Sequence, residues 1–521
     1  MLRKDGNIWS VVSELKGKRK RNILQTNEHQ SPFFLNDLTH FFQSCFSQEA
    51  DINLPCLSDE EWPINIDAFD VYQQLTKLKS KQSPGFDDLN ARLLKEGAIF
   101  LAEPVAHIFR SSIETKTFPE LWKNALVCPV PKKSNPTVSD FRQISLLPIL
   151  AKTFEKLVLV AMKPVLLQHY GRNQHAFRPN GSSTSAAIDI HKFALDCLDR
   201  RENQGVRITC LDFSKAFDRI HHNRLLLTLK KCGLNHGFLR WLHSYLDNRI
   251  QRISINGKVG PVLRVTSGVP QGLVLGPYLF AVFIGTLSIH HQESKLVKFA
   301  DDIALIEAFF RGSTPPSNME TIRKWTDEFK LRLNFSKCHQ LLIHRGKTQR
   351  VTAYSDIQVV SSATILGFTF NDKLNWNFHF DRVTRIASRR LHLLRILKPH
   401  LTGDQLRTVF NACIMSVLMY GSPLFCHLAA RNLAKIERVR KRSHRIICGV
   451  DCQCSRLPVI EDSRTKIALK FLKKCHLSNH PLNNLVPKQF FHSQRYQLPH
   501  CNTTRLLNSF FSFTCALFNS M

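Results

Sequence analysis

The sequence predicts an α+β fold in two or three domains, and three observations carry that reading. Between Val206 and Ala308, short β-rich runs flank helical stretches. From Ile66 to His169, helical patterns alternate with turn clusters such as Ser83-Pro84-Gly85 and Lys132-Lys133-Ser134-Asn135-Pro136. From Asp381 to His427, and again from Arg431 to Val450, the pattern is helical and strongly basic. With 521 residues, 43% of them hydrophobic, the chain has apolar material for a large core.

Taken in chain order, the first fifty or so residues are polar, basic at the start and without sustained period, which reads as a lead-in. Within them, Lys16-Gly17-Lys18-Arg19-Lys20-Arg21 is readable equally as a nuclear address or as a solvated basic arm. The formal net charge of +31 calls for a polyanionic partner. Residues 377–521 hold 23 Lys and Arg against 6 Asp and Glu, more than half of the excess in under a third of the chain. Such a surface suits a duplex backbone, where each neutralised phosphate releases counterions.

The apolar stretch from Asn411 to Ala430 contains Gly421, Ser422, Pro423 and His427. It reads as a buried helix pair joined at Gly421–Pro423, with no membrane partner. Fifteen cysteines lie without paired spacing and no signal peptide opens the chain. Free thiols in a reducing, intracellular setting (nucleus and cytoplasm, not secreted) are expected. His444, Cys448, Cys452 and Cys454 could offer four zinc ligands, but their Cys-x-Cys spacing fits no common structural zinc pattern, and buried thiols are the preferred reading. The end of the chain, from Pro481 to Met521, is rich in Asn, Ser, Phe and His and suggests no role.

Two segments carry the chemistry. Ile208-Thr209-Cys210-Leu211 is an apolar, β-branched run ending on Asp212, followed by Phe213-Ser214-Lys215-Ala216-Phe217-Asp218. Later, Leu296-Val297-Lys298-Phe299-Ala300 leads to Asp301-Asp302, and Ile303-Ala304-Leu305-Ile306 resumes the apolar run. Strand, acidic pair, strand is an unusual hairpin, because the common two-residue turns are Asn-Gly or Asp-Gly. Adjacent carboxylates between apolar strands repel each other and require a compensating cation. Phosphoryl transfer supplies one: two Mg2+ ions about 3.5–4 Å apart clamp the attacking and leaving oxygens. Magnesium takes hard oxygen ligands and keeps several waters, so two or three carboxylates from neighbouring strands suffice. A lone Asp-Asp pair would otherwise be a solvated surface turn.

The pair is not alone. From about Ser83 to Gly449 the chain closely resembles the reverse transcriptases of non-LTR (LINE-type, Jockey-like) retrotransposons, with the family's motifs in order. The resemblance implies that Leu211–Asp218 (LDFSKAFD) supplies the metal ligand Asp212. Phe299–Asp302 (FADD) supplies the ligand Asp301 and the supporting Asp302. Phe217 then matches the bulky gate under the incoming sugar, favouring dNTPs over rNTPs. Ser267–Pro277 (SGVPQGLVLGP) is assigned to nucleotide and template-base contact through Gln271 and Gly272, where glycines also allow close backbone approach. Upstream, Lys132 or Lys133 would meet the γ-phosphate and Arg142 the triphosphate. Gln174–Ser183 resembles the template-contacting segment, with Phe177 stacking and Arg178 on phosphate. Downstream, Lys337 in Leu333-Asn334-Phe335-Ser336-Lys337 matches the lysine that protonates the departing pyrophosphate, and Leu366-Gly367-Phe368 matches the primer-grip turn. Three departures from the pattern are Gln143 for Pro, Leu273 for Ser, and Ile284-Gly285-Thr286 for Ile-Asn-Asp.

The implied architecture is a right hand with an antiparallel palm sheet and a helical, basic C-terminal region. Its expected parts are a lead-in over 1–65, fingers over 66–205, palm over 206–370, thumb over 377–450 and a region without assigned role over 451–521. The reverse transcriptase domain as a whole would run from about 110 to 372. The implied reaction extends a DNA 3′-OH primer on an RNA template with dNTPs, using two Mg2+ ions that Mn2+ can replace. Only about eighty residues precede the stretch that resembles the family, too few for an endonuclease domain, so a nicking activity is expected from elsewhere. Two competing readings are another palm polymerase, against which Phe217 argues, and a catalytically silent or co-opted nucleic-acid-binding remnant. Oligomeric state, template identity and insertion site do not follow from the residues.

Overall fold

The computed structural model describes residues 32–47, 52–62, 64–133, 135–171, 173–310, 318–346, 351–449, 457, 459–490 and 493–521. The basic run from Lys16 to Arg21, and Cys452 and Cys454 of the zinc alternative, lie outside these. The described cysteines are all free.

In chain order the strands are β1 (Asn124–Pro131), β2 (Phe141–Leu146), β3 (Asn203–Leu211), β4 (Ile250–Ile255) and β5 (Lys258–Arg264). They continue with β6 (Ser294–Phe299), β7 (Asp302–Phe310), β8 (His339–His344), β9 (Gln358–Val359), β10 (Ser362–Ile365) and β11 (Phe368–Asn371). The central sheet has the order β6-β7-β3-β8-β9, antiparallel except for the two-residue β9. β3 and β7 are buried on both faces, which explains why their sequences read as continuous apolar runs. Alternate residues serve different cores. Leu211, Ile303 and Leu305 join Phe280, Phe283 and Trp325 on one side. Val206, Ile208, Ala304 and Ile306 meet Ala186, Ala187 and Ile190 of the helix Ser183–Asp199 on the other. A buried ion pair across β3 and β7, Arg207 to Glu307, has Nε–Oε2 at 2.9 Å, with the Tyr354 ring 3.6 Å from the guanidinium.

A second sheet has the order β2-β1-β4-β5, with β1 parallel to β4. The segments expected as fingers and palm therefore share a sheet, since β4 and β5 lie within the range expected as palm. They share a core as well: Phe118 lies 4.9 Å from Tyr245 and Phe154 lies 5.4 Å from Trp241. The helix Pro32–Cys45 packs Leu35, Leu38 and Phe42 onto Val127, Phe141 and Ile253 of this sheet. This part of the expected lead-in is thus a structural layer; the apolar positions 35, 38 and 42 have helical spacing, but they are flanked by too little periodic sequence to stand out.

The C-terminal third is helical. In Ala430–Cys448 the buried positions Asn432, Ile436, Val439, Ser443 and Ile447 form one face, leaving Arg431, Arg438, Lys441, Arg442 and Arg445 exposed. It packs beside Asn377–Leu397. Between Asn411 and Ala430 the expected helix pair is only half present. A helix runs through a π turn to Leu418, reverses at Gly421 (φ 69°), and continues as a single 3₁₀ turn, Ser422–Phe425, begun at Pro423. No helix among the described residues is long and apolar enough to cross a membrane. The last segment is packed too: Cys475, Phe510 and Phe511 lie in the same core as this helical body. Asn502 N donates to Asp199 Oδ2 at 2.9 Å, tying that segment to the end of Ser183–Asp199. The described residues thus form an α+β fold built on a largely antiparallel central sheet, a second mixed sheet and a helical C-terminal body.

Candidate active site

Asp212 follows the last residue of β3 and is fixed by a neighbouring strand-like segment. Its carbonyl accepts from Asn334 N at 2.8 Å, and Ser214 N donates to Arg332 O at 2.9 Å. The same turn sets Lys337, whose N–H donates to Asn334 O at 2.9 Å. The Lys337 ammonium consequently lies 3.7 Å from Asp212 Oδ2, with both side chains open to solvent.

The acidic hairpin differs in register from the sequence-based expectation, which has both aspartates at the turn. Phe299 pairs with Asp302, so the two turn residues are Ala300 and Asp301, and Asp302 begins β7. Ala300 takes the left-handed conformation, φ 55°, at a cost of about 1–2 kcal/mol for a residue with a Cβ. Burial pushes the Asp301 carboxyl above its ordinary value, the Asp212 charge adds to this, and Arg142 pulls it back. Asp302 is pushed up to about 6, by burial first and then by Asp301 and Asp212. Three mutually repelling carboxylates at the ends of β3, β6 and β7 make a site that is short of positive charge.

Cations gather opposite. Lys133 pairs with Asp140 at 2.8 Å, and Asp140 also accepts from Thr137 N at 2.8 Å, so Lys133 is used in holding the β1–β2 turn. Lys132 remains, with its ammonium held below the ordinary range by burial and by the charges of Lys215, Lys337 and Arg142. Lys215 is not singled out by the sequence. It lies within the Asp212 motif at φ 54°, its ammonium 4.7 Å from the Phe41 ring centre; its position after the acidic strand end is the available signal.

Gln271 and Gly272 lie where the glycine loop meets β2. Ser145 N donates to Gln271 O at 2.7 Å, and a Cβ at Gly272 (φ 128°) would stand 2.3 Å from Ser145 O, so only glycine fits. Val269 N donates to Phe217 O at 2.9 Å, and the Phe217 ring is stacked on Phe280. Asp218 is buried beside this loop, and burial raises its carboxyl to about 6 against the pull of Lys215, Lys132 and Arg219. The departures from the family pattern lie in packed surroundings. Gln143 is buried and its Oε1 accepts from Gln251 Nε2 at 3.1 Å. Leu273 is a core residue, and Thr286 Oγ1 accepts from Trp325 Nε1 at 3.0 Å.

Leu366 and Gly367 form the β10–β11 turn, both at positive φ. They line a cavity of about 260 Å³ together with Asp212, Asp302 and Lys337. Tyr420, from the helical region, closes this turn: its hydroxyl donates to Leu366 O at 2.9 Å and meets Ser183 Oγ at 2.8 Å. Phe177 is exposed at φ 57°. Arg178 is half-buried and donates from Nη2 to Gly171 O at 2.9 Å, so part of its guanidinium serves the protein itself. Lys215 and Tyr420 are the residues at this site that sequence reasoning does not single out.

No three His, Cys, Asp or Glu side chains among the described residues converge as a preformed metal cage. The donor set is nonetheless all carboxylate oxygen, which suits a cation that retains waters and shares substrate phosphates.

Residues 130–370 match the family described as reverse transcriptase (RNA-dependent DNA polymerase). The chain is 26% identical to the probable RNA-directed DNA polymerase from transposon BS of Drosophila melanogaster, covering 86% of this chain and 53% of that protein. It is 25% identical to the RNA-directed DNA polymerase from mobile element jockey of Drosophila funebris, covering 96% of this chain and 59% of that protein. The chain therefore spans about half the length of the curated relatives it matches. Among solved structures, telomerase from Candida tropicalis in complex with a fragment of telomeric RNA overlaps 74% of this chain and 66% of its own, at 13% identity and TM-score 0.37. At that score the overlap is too loose to bear on function. The chain resembles the reverse transcriptases of non-LTR retrotransposons.

Proposed function

We propose that this chain is the RNA-directed DNA polymerase of a non-LTR retrotransposon, extending a DNA 3′-OH primer on an RNA template with dNTPs. The observation that carries the reading is the gathering of Asp212, Asp301 and Asp302 opposite Lys132, Arg142 and Lys337 within the matching stretch. Asp212 and Asp301 would hold two Mg2+ ions, with Asp302 in support; bound there, the ions supply Lewis acidity to the reacting phosphate.

The chain's own groups do the rest. Lys132 and Arg142, joined by Lys215, bind the triphosphate as charged donors. Lys337 gives its proton to the departing pyrophosphate, help typically worth ~10²–10⁴-fold. Phe217 sits under the sugar and excludes a 2′-hydroxyl, while Gln271 and Gly272 present backbone and side chain to the nucleotide. Leu366 and Gly367 hold the primer end; Phe177 and Arg178 guide the template. The exposed arginines and lysines of Ala430–Cys448 take the duplex by its phosphates. The work is done inside the cell, in nucleus and cytoplasm.

The test is primer extension on poly(rA)/oligo(dT) with dTTP and Mg2+, beside Asp301→Ala. Incorporation by the parent and none by the variant is expected. A parent that binds the hybrid yet incorporates nothing would identify a silent nucleic-acid-binding remnant instead.

A further inference from the structure

The hairpin bearing Asp301 and Asp302 is latched from outside by the segment Asn173–His175. His175 N donates to Lys298 O at 2.9 Å, and Lys298 N donates to Asn173 O at 2.9 Å, so the segment runs parallel to β6 for a short bridge. Between these contacts the wholly buried Gln174 turns its side chain back toward the tip. Its Oε1 accepts from Ala176 N at 3.0 Å and from Ala300 N at 3.1 Å. Both donors are backbone N–H groups, so the atom facing them must be the oxygen of the carboxamide. Ala300 is the left-handed turn residue immediately before Asp301, and its N–H is the group whose direction changes if the turn relaxes.

The next residue secures the latch. The buried His175 ring lies 2.9 Å from Ser185 Oγ and 3.2 Å from Asp189 Oδ2, and Asp189 Oδ1 takes Lys295 Nζ of β6 at 2.5 Å. Ser, His and Asp in this order suggest a nucleophile, but Ser185 is fully buried and donates to Ser182 O at 2.7 Å. The trio is an anchor, and it fixes the backbone from which Gln174 reaches.

We propose that Gln174 is a positioning residue for the metal-binding turn: its carboxamide oxygen clamps the Ala300 N–H and thereby aims the Asp301 carboxylate. The inference rests on the polymerase reading of that carboxylate and deepens it. Methionine at 174 keeps the length and apolar contacts but removes the acceptor, whereas glutamate, kept neutral by burial beside the three aspartates, keeps the acceptor oxygen.

The experiment is Mn2+ titration of the metal-free full chain by electron paramagnetic resonance, comparing parent, Gln174→Met, Gln174→Glu and Asp301→Asn. Of the two hydrogen bonds that Gln174→Met removes, the one from Ala300 N holds the turn, and its loss should weaken Mn2+ binding about tenfold. The variant should keep the parent's melting temperature within a few degrees and its affinity for an RNA–DNA hybrid, and lose kcat with the hybrid KM unchanged. Gln174→Glu should bind Mn2+ as the parent does. Parent-like Mn2+ binding by Gln174→Met overturns the proposal. So does a loss that Gln174→Glu fails to restore, or one accompanied by a collapse in melting temperature, since either marks an ordinary core residue. A parent that binds Mn2+ through Asp301 but incorporates no dTTP would sink the polymerase reading and leave the Gln174 comparison intact.

Discussion

The Phe217 ring lies face to face with that of Phe280, their centroids 4.0 Å apart and their planes 16° from parallel. Phe280 is itself fully buried in the helix Gly276–Gly285, so the ring beside the proposed nucleotide site is backed by core and has little room to retreat. Phe217→Val is therefore expected to relax sugar discrimination. The ratio of kcat/KM for dTTP to that for UTP should fall by about tenfold or more, within the ~1–3 kcal/mol that a group of this size can supply. An unchanged ratio would remove Phe217 from the gate.

The two lysines of the β1–β2 turn should separate cleanly. Lys133 is engaged with Asp140, whereas Lys132 is surrounded by Lys215, Lys337 and Arg142, and Asp140 is only a minor influence on it. Lys132→Ala should raise the KM for dTTP by about tenfold, as expected for a charge-assisted phosphate contact. Lys133→Ala should leave that KM near the parent value. Equal effects from both would show that the Asp140 pair opens in the complex.

Tyr420 joins three parts of the molecule through one hydroxyl, touching Leu366 O and Ser183 Oγ, while its ring stacks on Phe368 at 4.9 Å. Tyr420→Phe keeps the ring and removes the bridge. The KM for primer–template should rise about threefold to tenfold, matching the ~1 kcal/mol of a partly exposed hydrogen bond, with the KM for dTTP unmoved. A change in the dTTP constant alone would contradict a role at the primer end.

Asp218 provides a pH test independent of metal. Burial raises its folded-state pKa to about 6 from the ordinary 3.8, so between those values the folded protein holds a proton that the unfolded chain has released. Acid therefore favours folding through this group, and its contribution is lost as pH rises through 6, up to about 3 kcal/mol for a shift of this size. Asp218→Asn should raise the melting temperature at pH 8 and leave it near the parent at pH 4. Scanning calorimetry at both values would show it; an equal shift at the two would assign the effect to packing.

The chemistry was legible because its elements are local. A β-branched run ending on Asp212, and two apolar runs around Asp301-Asp302, each announce a strand and its end through neighbouring residues alone. The helical face of Ala430–Cys448 and the basic residues left outside it follow from the 3.6-residue period in the same way. The half-present helix pair between Asn411 and Ala430 marks the limit. Gly421 and Pro423 signal a break in the helix, but neither residue specifies the conformation of the chain beyond it.

What only the tertiary structure decided lies between residues far apart in the chain. Ala300 adopts a left-handed turn in the presence of Gln174, 126 residues away, and this moves Asp302 from the turn into β7. β1 lies parallel to β4, and Tyr420 reaches Leu366 and Ser183 from the helical region. The sequence by itself determined the strands that end at Asp212 and flank Asp301-Asp302 and the basic helical face of Ala430–Cys448, because backbone sterics and hydrophobic period act over a few residues. Register, acceptor and neighbour were settled by the folded whole, because each depends on the one arrangement that pairs the strands' backbone groups and fills the shared cores at once.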